Sequence, residues 1–171
     1  MNGLCVRVNI KSILEDSIVN DKFYYYDLIV RYLAIENCYG LNDCGWEIYK
    51  RYAKSLRGGG KRADVFRDLI KEAQRNRFDD LRHPILISNL NGEICVRNGF
   101  HRLALAIYWN FVDINCVIKN FSSYGKQNKR LTKYSINKLR KIIINEDEKC
   151  IILMQRNKTF SQYGINEKNI L

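Results

Sequence analysis

The chain has 171 residues, enough for one domain that buries about 70% of the surface its unfolded form exposes. Its 29 lysines and arginines against 18 aspartates and glutamates give a formal net charge of +11, which favours anionic partners. No apolar stretch reaches the length of a membrane span, and the N-terminus lacks the basic-then-apolar order of a signal peptide. We therefore expect a single cytoplasmic domain over residues 1–171, with no membrane span.

The first half of the chain predicts one strand and then helices. Residues 4–10 alternate as a strand does, and residues 26–37 form a helix whose inward side chains are Leu28, Ile29, Leu33 and Ile35. Asn42 and Asp43 are placed to cap a helix from Gly45 to Leu56. Another helix over residues 63–77 turns one side inward, with Val65, Phe66, Leu69, Ile70 and Ala73. Together these helices make a helical N-terminal part over residues 24–78.

The second half predicts a hairpin, a helix and a further strand. Residues 83–87 and 93–97 read as strands around a tight Asn91-Gly92 turn. A helix begins after Asn98-Gly99 and ends near Trp109-Asn110, and residues 113–119 read as a strand, so the core spans residues 82–120. Residues 135–145 and 146–157 predict a helical pair within a C-terminal part over residues 132–158. Because helices outnumber strands, we expect an α/β (α+β) fold with a small mixed sheet surrounded by helices.

The turn from Asn98 to Arg102 lies between a predicted strand and a predicted helix. A helix start offers about four unpaired N–H donors and roughly half a positive charge, and Arg102 adds a planar fork suited to phosphate oxygens. These features predict a site for an anion. The alternative is an ordinary strand-to-helix turn in which Asn98 is the N-cap.

The stretch from Arg82 to Asn120 resembles the core of the ParB/sulfiredoxin superfamily in the order of its hairpin, turn, helix and strand. In that superfamily the hairpin leads into a Gly-x-His-Arg or Gly-x-x-Arg turn, which holds nucleotide phosphates at a helix start. Three upstream stretches also look like small ParB-like proteins encoded among genes for surface-polysaccharide assembly. These stretches are Arg31 to Asp43, Trp46 to Arg51 and Phe66 to Ile70.

Departures from the superfamily's motifs indicate which of its branches the turn resembles. Phe100 stands where sulfiredoxins carry their catalytic cysteine, which argues against a sulfinic acid reductase. Asn98 stands where the free serine kinases have Asp. Of the Gly-Glu-Arg-Arg motif of partition-type ParB proteins, the turn keeps only the last Arg, as Arg102. The kinase-like branch therefore fits better than the partition branch.

The kinase-like resemblance implies a nucleotide-binding phosphotransferase that uses ATP or ADP with Mg²⁺. Its acceptor would be a small hydroxyl compound or a sugar in surface-polysaccharide biosynthesis. The phosphate would be held by the turn residues Asn98, Gly99, Phe100, His101 and Arg102, with Asn98 and His101 also in the catalytic set. Asn98 would orient the turn or the acceptor hydroxyl, and Glu36 would take the acceptor proton.

Glu36 is the candidate general base because phosphoryl transfer to a hydroxyl can use a positioned carboxylate. The alternative is an exposed or capping glutamate near the helix end. Arg31 shares this helix but not this face, since the helical twist separates the two residues by about 140°. Arg57 and Arg62 flank Gly58-Gly59-Gly60, which predicts either a basic loop over the phosphates or a plain helix connector. His83 precedes Pro84 and is expected to be structural.

Neither the cysteines nor the basic residues after Ile114 distinguish between the candidate functions. Six cysteines show neither C-x-x-C pairing nor zinc-site spacing, so we expect reduced, mostly buried residues and no metal site. From Ile114 to Asn145 there is no acidic residue and eight basic ones occur, so this segment could contact nucleic-acid phosphates, an anionic membrane surface or a polyanionic substrate, or could be a solvated face. Any nucleic-acid binding is expected to be weak and non-specific. The rival function is a ParB-like nucleotide-sensing or nucleic-acid-binding protein without phosphotransferase activity. A third is a purely structural member of an assembly complex.

Overall fold

The computed structural model describes residues 4–20, 22–56, 61–76, 78–90, 93–119 and 163. Within these residues the chain is a mixed α+β fold with five helices and four strands. In chain order the elements are β1 (Leu4–Asn9), α1 (Ile10–Asn20), α2 (Lys22–Cys38), α3 (Gly45–Leu56), α4 (Lys61–Asn76), β2 (Ile85–Leu90), β3 (Glu93–Asn98), α5 (Phe100–Tyr108) and β4 (Asp113–Ile118). The predicted α/β class is confirmed, and the predicted helical pair over residues 135–157 lies outside the described residues.

The four strands form one mixed sheet in the order β1-β4-β2-β3. β2 and β3 are an antiparallel hairpin, and β2 also pairs in parallel with β4. Because a parallel pair needs a crossover, α5 carries the chain from β3 back to β4. β1 completes the sheet antiparallel to β4, with Leu4 opposite Ile118 and Asn9 opposite Asp113. The predicted hairpin, helix and strand are thus confirmed, while the turn residues 91–92 lie outside the described residues.

The core lies around α2 and α5. Five consecutive residues of α5 are buried, from Leu103 to Ile107, and these cover more than one full turn of helix. A helix with a solvent-exposed side cannot bury so many consecutive residues, so α5 is enclosed by its neighbours. α2 packs against both α3 and α5. Its predicted inward residues are all buried, namely Leu28, Ile29, Leu33 and Ile35.

α3 begins at the residue that its cap predicts. Asn42 Oδ1 accepts a hydrogen bond from the Gly45 N–H at 2.8 Å, and Asn42 Nδ2 donates to the Leu33 carbonyl at 3.0 Å. Asn42 therefore caps α3 and ties it to α2. Gly45 lies so close to α2 that a Cβ atom there would overlap the Leu33 carbonyl group.

α1 has no counterpart among the predicted elements. Asn9 Oδ1 accepts the N–H of Lys11 at 3.0 Å and so caps the first turn. Ile10, Ile13 and Leu14 are fully buried at the spacing of one helical face. Asp16 Oδ2 accepts the Ile94 N–H at 2.7 Å, which ties α1 to the outer strand β3.

α4 buries a narrower face than its sequence predicts. Phe66, Ile70 and Ala73 are buried, but Val65 is 63% exposed, so the inward placement of Val65 is wrong. Val65 lies about 100° around the helix from Phe66, and the packed face is not wide enough to include it. Leu69 is partly buried against the core.

One cysteine also differs from the expectation of reduced thiols. Cys44 is disulfide-bonded, so the expectation of six reduced cysteines is wrong for this residue. Disulfide formation depends on two Cα atoms meeting in space, which the spacing of cysteines along the chain does not report. Cys5 is exposed, Cys38 and Cys95 are partly buried, and Cys116 is buried, all four as free thiols.

Candidate functional site

The candidate site is the turn between β3 and α5. β3 ends at Asn98, which is exposed and lies opposite Leu86 of β2. Gly99 is the N-cap of α5, with φ 106° and ψ 21°, and no side chain caps the helix. The Gly99 carbonyl accepts the Leu103 N–H at 2.9 Å, which starts the helix. The N-cap is therefore Gly99 rather than Asn98, because only Gly adopts this left-handed conformation easily.

Gly99 is also required by the closeness of β2. A Cβ atom at this position would lie 2.7 Å from Ile85 Cγ2 and 2.9 Å from Ile85 Cβ. Ile85 is fully buried and branched at Cβ, so it has little freedom to move aside. The backbone of the turn thus presses against the first residue of β2.

Arg102 adds a positive charge to a helix start that is already positive. Its Nη1 donates to the Pro84 carbonyl at 2.6 Å, and burial lowers the pKa of the guanidinium below its ordinary value. A guanidinium stays charged in proteins even so. The first turn of α5 holds no acidic residue, and within the described ranges no carboxylate forms an ion pair with Arg102. Since helix starts normally favour negative charge, this uncompensated positive end favours an anion.

His101 is held by aromatic residues of α3 and α4. Its Nε2 lies 2.6 Å from the hydroxyl oxygen of Tyr49, which is buried. The imidazole stacks on Phe66, with ring centroids 4.2 Å apart and planes 13° apart. The ring position and ring plane of His101 are therefore both set by neighbouring helices.

A buried ion pair lies behind the turn. Arg31 Nη1 is 2.6 Å from Asp27 Oδ2 and donates to the Asp27 carbonyl at 2.8 Å. The Arg31 guanidinium also lies 5.4 Å from the centre of the Tyr52 ring and 5.8 Å from that of Phe100. This arrangement connects α2, α3 and the first residue of α5. The sequence signal for it is Asp and Arg four residues apart within an otherwise apolar helix segment.

Glu36 lies at the other end of α5. Its Oε2 accepts a 3.4 Å hydrogen bond from Asn42 Nδ2, and burial raises its pKa while this bond opposes the rise. The pKa of Tyr108 is raised by burial, by Tyr39 and Tyr32, and lastly by the charge of Glu36. Tyr108 ends α5, about 12 Å along the axis from the helix start at the 1.5 Å rise per residue. The structure therefore does not bring Glu36 together with the Asn98 to Arg102 turn.

The remaining predicted residues are spread over the surface or lie outside the described residues. Arg62 is exposed in the first turn of α4, and His83 is exposed before β2. Arg57 and the triple glycine lie outside the described residues. Of the eight basic residues between Ile114 and Asn145, Lys119 is described and exposed, and the other seven lie outside the described residues.

Over the described residues, no group of three or more His, Cys, Asp or Glu side chains could hold a metal ion. None of the described helices, α1 to α5, is long and apolar enough to span a bilayer. Comparison with protein-family models, curated proteins and solved structures found no match.

Proposed function

We propose that the chain binds the phosphates of a nucleotide, ATP or ADP, at the Asn98 to Arg102 turn. One observation carries this proposal: α5 starts at a left-handed Gly99 with no side-chain cap, and its first turn contains Arg102 and no acidic residue. The N–H groups at a helix start point outward along the axis and attract phosphate oxygens. Gly99 has room for its left-handed conformation because it presents no Cβ atom to Ile85 of β2.

Each residue of the turn has a role in this proposal. Arg102 supplies charge-assisted hydrogen bonds to phosphate oxygens, while its bond to Pro84 fixes the guanidinium in place. Phe100 closes the inner side of the turn against Arg31. Asn98 is exposed, and its amide is available to orient the turn or a second substrate.

The finer proposal is a phosphotransferase of the ParB/sulfiredoxin superfamily, acting on a small hydroxyl compound or a sugar in surface-polysaccharide biosynthesis. Its support is the order β2, β3, turn, α5 and β4, which agrees with the resemblance of residues 82–120. Burial raises the pKa of Glu36 above its ordinary value, which is the direction of shift found in glutamates that act as general bases. Because Glu36 lies near the far end of α5, a proton-accepting role there is a separate hypothesis from phosphate binding.

Magnesium has no evident ligand set at the described part of the turn. The first turn of α5 contains no carboxylate, and carboxylates are the side chains that usually hold Mg²⁺. The first turn of α5 therefore supplies no protein ligand that fits a magnesium ion, and we derive no step through one.

Titration calorimetry with ATP, ADP and CTP tests the phosphate site. Losing a charged hydrogen bond costs about 1.5 to 3 kcal/mol, so Arg102→Ala should weaken binding roughly tenfold to a hundredfold. The matched control is Arg75→Ala, which removes the same charge from an exposed position in the last turn of α4. Equal affinity in the wild type and a folded Arg102→Ala variant would contradict the proposal.

Labelled nucleotide tests the transfer step separately. Incubation with a panel of sugars and serine should give a phosphorylated acceptor, and Glu36→Gln should remove this turnover while nucleotide affinity stays within about threefold. Binding without turnover on any acceptor would instead favour a nucleotide-sensing protein.

A further inference from the structure

Three partly exposed aromatic side chains lie together where α2 and α5 end, and we call them the aromatic patch: Tyr39, Tyr108 and Trp109. The Tyr39 and Tyr108 rings stack, with centroids 5.1 Å apart and planes 28° apart. Trp109 is nearly perpendicular to both, at 81° to Tyr39 and 89° to Tyr108, and it is 37% exposed. The ring planes of the patch therefore meet nearly at a right angle at the protein surface.

Two helix ends of negative character lie at this patch. α2 ends at Cys38 and α5 ends at Tyr108, and the contact between the Tyr39 and Tyr108 rings brings the two ends side by side. The C-terminal end of a helix carries roughly half a negative charge, which favours cations nearby. Neither α2 nor α5 has a basic residue in its last turn. Neither helix therefore balances its own negative end.

Glu36 adds a carboxylate at the same place. It lies in the last turn of α2, where a helix favours positive rather than negative side chains. Within the described ranges its carboxylate accepts the 3.4 Å bond from Asn42 and forms no ion pair. The cations of α4 act on the neighbouring Cys38 instead, because burial raises the pKa of that thiol while Arg67 and Lys71 oppose the rise.

The tyrosine hydroxyls increase the negative potential further. The Tyr39 hydroxyl oxygen is buried and has no hydrogen-bond partner in the described part of the chain, and such unpaired groups are costly. The pKa of Tyr108 is raised by burial, by Tyr39 and Tyr32, and by the charge of Glu36, so these oxygens lie near one another. Over the described ranges, no arginine or lysine stacks on the three rings of the patch. A basic chain thus has one local site that lacks a cation.

We propose that the aromatic patch and Glu36 bind the ammonium group of a small soluble organic compound. The faces of Trp and Tyr rings attract cations, and organic ammonium ions are the ligands that aromatic sites in proteins commonly recognise. The bound charge compensates Glu36 and the two helix ends. This site lies at the opposite end of α5 from the proposed phosphate turn, so it goes beyond the proposed function and does not depend on it.

The experiment titrates the protein with choline. The control ligand is the uncharged analogue of choline, in which a tert-butyl group replaces the trimethylammonium group and the shape is kept. Sodium chloride holds the ionic strength constant. Calorimetry measures affinity, and the fluorescence of Trp109 reports on the patch. The chain has two tryptophans, so Trp46→Phe leaves Trp109 as the only fluorescent indole.

Two variants and a matched control locate the binding. Glu36→Gln removes the charge of the carboxylate and hardly changes its shape, and Trp109→Leu removes one ring of the patch. Glu47→Gln makes the same change of charge at an exposed position of α3. Circular dichroism and thermal melting confirm that each variant is folded.

We expect choline to change the fluorescence of Trp109 and to bind at least about tenfold more tightly than its uncharged analogue. Trp109→Leu should weaken choline binding by about threefold to thirtyfold, the usual range for a cation on an aromatic ring. Glu36→Gln should weaken it by about threefold or more, because it removes the nearest opposite charge. Glu47→Gln should stay within about twofold of the wild type, since solvent screens its exposed charge.

Three results would each overturn the proposal: no choline binding by the folded wild type, equal affinity for choline and its analogue, or equal affinity in folded Glu36→Gln and Glu47→Gln. Binding to phosphatidylcholine vesicles without binding to free choline would also overturn it, because the partner would then be a lipid surface. The titrations contain no nucleotide, so their failure is distinct from a failure of the proposed phosphate site.

Discussion

Replacing Gly99 with Ala tests most directly whether the turn is left-handed at Gly99 and lies close against Ile85 of β2. The substitution adds one methyl group at a residue with φ 106°, where that group would lie 2.7 Å from Ile85 Cγ2 and 2.9 Å from Ile85 Cβ. A left-handed conformation costs a residue other than Gly about 1 to 2 kcal/mol. Forcing an extra methyl group into a packed site costs about 1 to 3 kcal/mol more. Gly99→Ala should therefore lower the free energy of unfolding by about 2 to 5 kcal/mol.

Gly40 provides the matched control. It also has a positive φ, 75°, but a Cβ atom there would meet nothing within 4 Å. Gly40→Ala should therefore cost only the conformational part, about 1 to 2 kcal/mol. Urea denaturation of the two variants separates backbone strain from the steric contact with Ile85. If Gly99→Ala costs no more than Gly40→Ala, the close approach of the turn to β2 is refuted.

Two further predictions concern buried charges. Asp27→Asn should destabilise the fold by about 3 to 5 kcal/mol in urea denaturation, because it leaves Arg31 charged and buried. The exposed pair of Glu47 and Lys50 is the control, and an equal loss from Glu47→Gln would show that burial of Arg31 contributes nothing. Burial raises the pKa of Glu36, so the folded state binds this proton more tightly, and its ionisation lowers stability as pH rises from 4.5 through the folded pKa. Glu36→Gln should therefore stabilise the protein at pH 7 more than at pH 4, and the same difference at both values would contradict this.

Local signals in the sequence predicted most helices and strands of the fold. Asn42 is a strong capping residue three positions before the amphipathic segment that starts at Gly45, and α3 has the predicted bounds. The core strands were also predictable, because alternation and the Asn91-Gly92 turn are features of neighbouring residues. α1 carried comparable signals, in the Asn9 cap and in the spacing of Ile10, Ile13 and Leu14.

The surroundings of the site were not predictable in the same way. The pattern of α3 does not say that Tyr49 reaches His101, since these residues lie 52 positions apart. Likewise, Asp27 and Arg31 form the same spacing whether a helix face is buried or solvated. The distance of Glu36 from the turn depends on how α2 lies along α5. Such facts come from the packing of whole helices, which local periodicity does not contain.

The pairing of β1 with β4 has a consequence for how the protein is made. Asn9 and Asp113 meet across 104 positions of the chain. At a synthesis rate of about 5 to 20 residues per second, β1 leaves the ribosome roughly 5 to 20 seconds before its partner exists. During that interval its backbone N–H and C=O groups are open to any other extended chain. The charge of Arg7, in the middle of the strand, opposes such wrong pairing until β4 arrives.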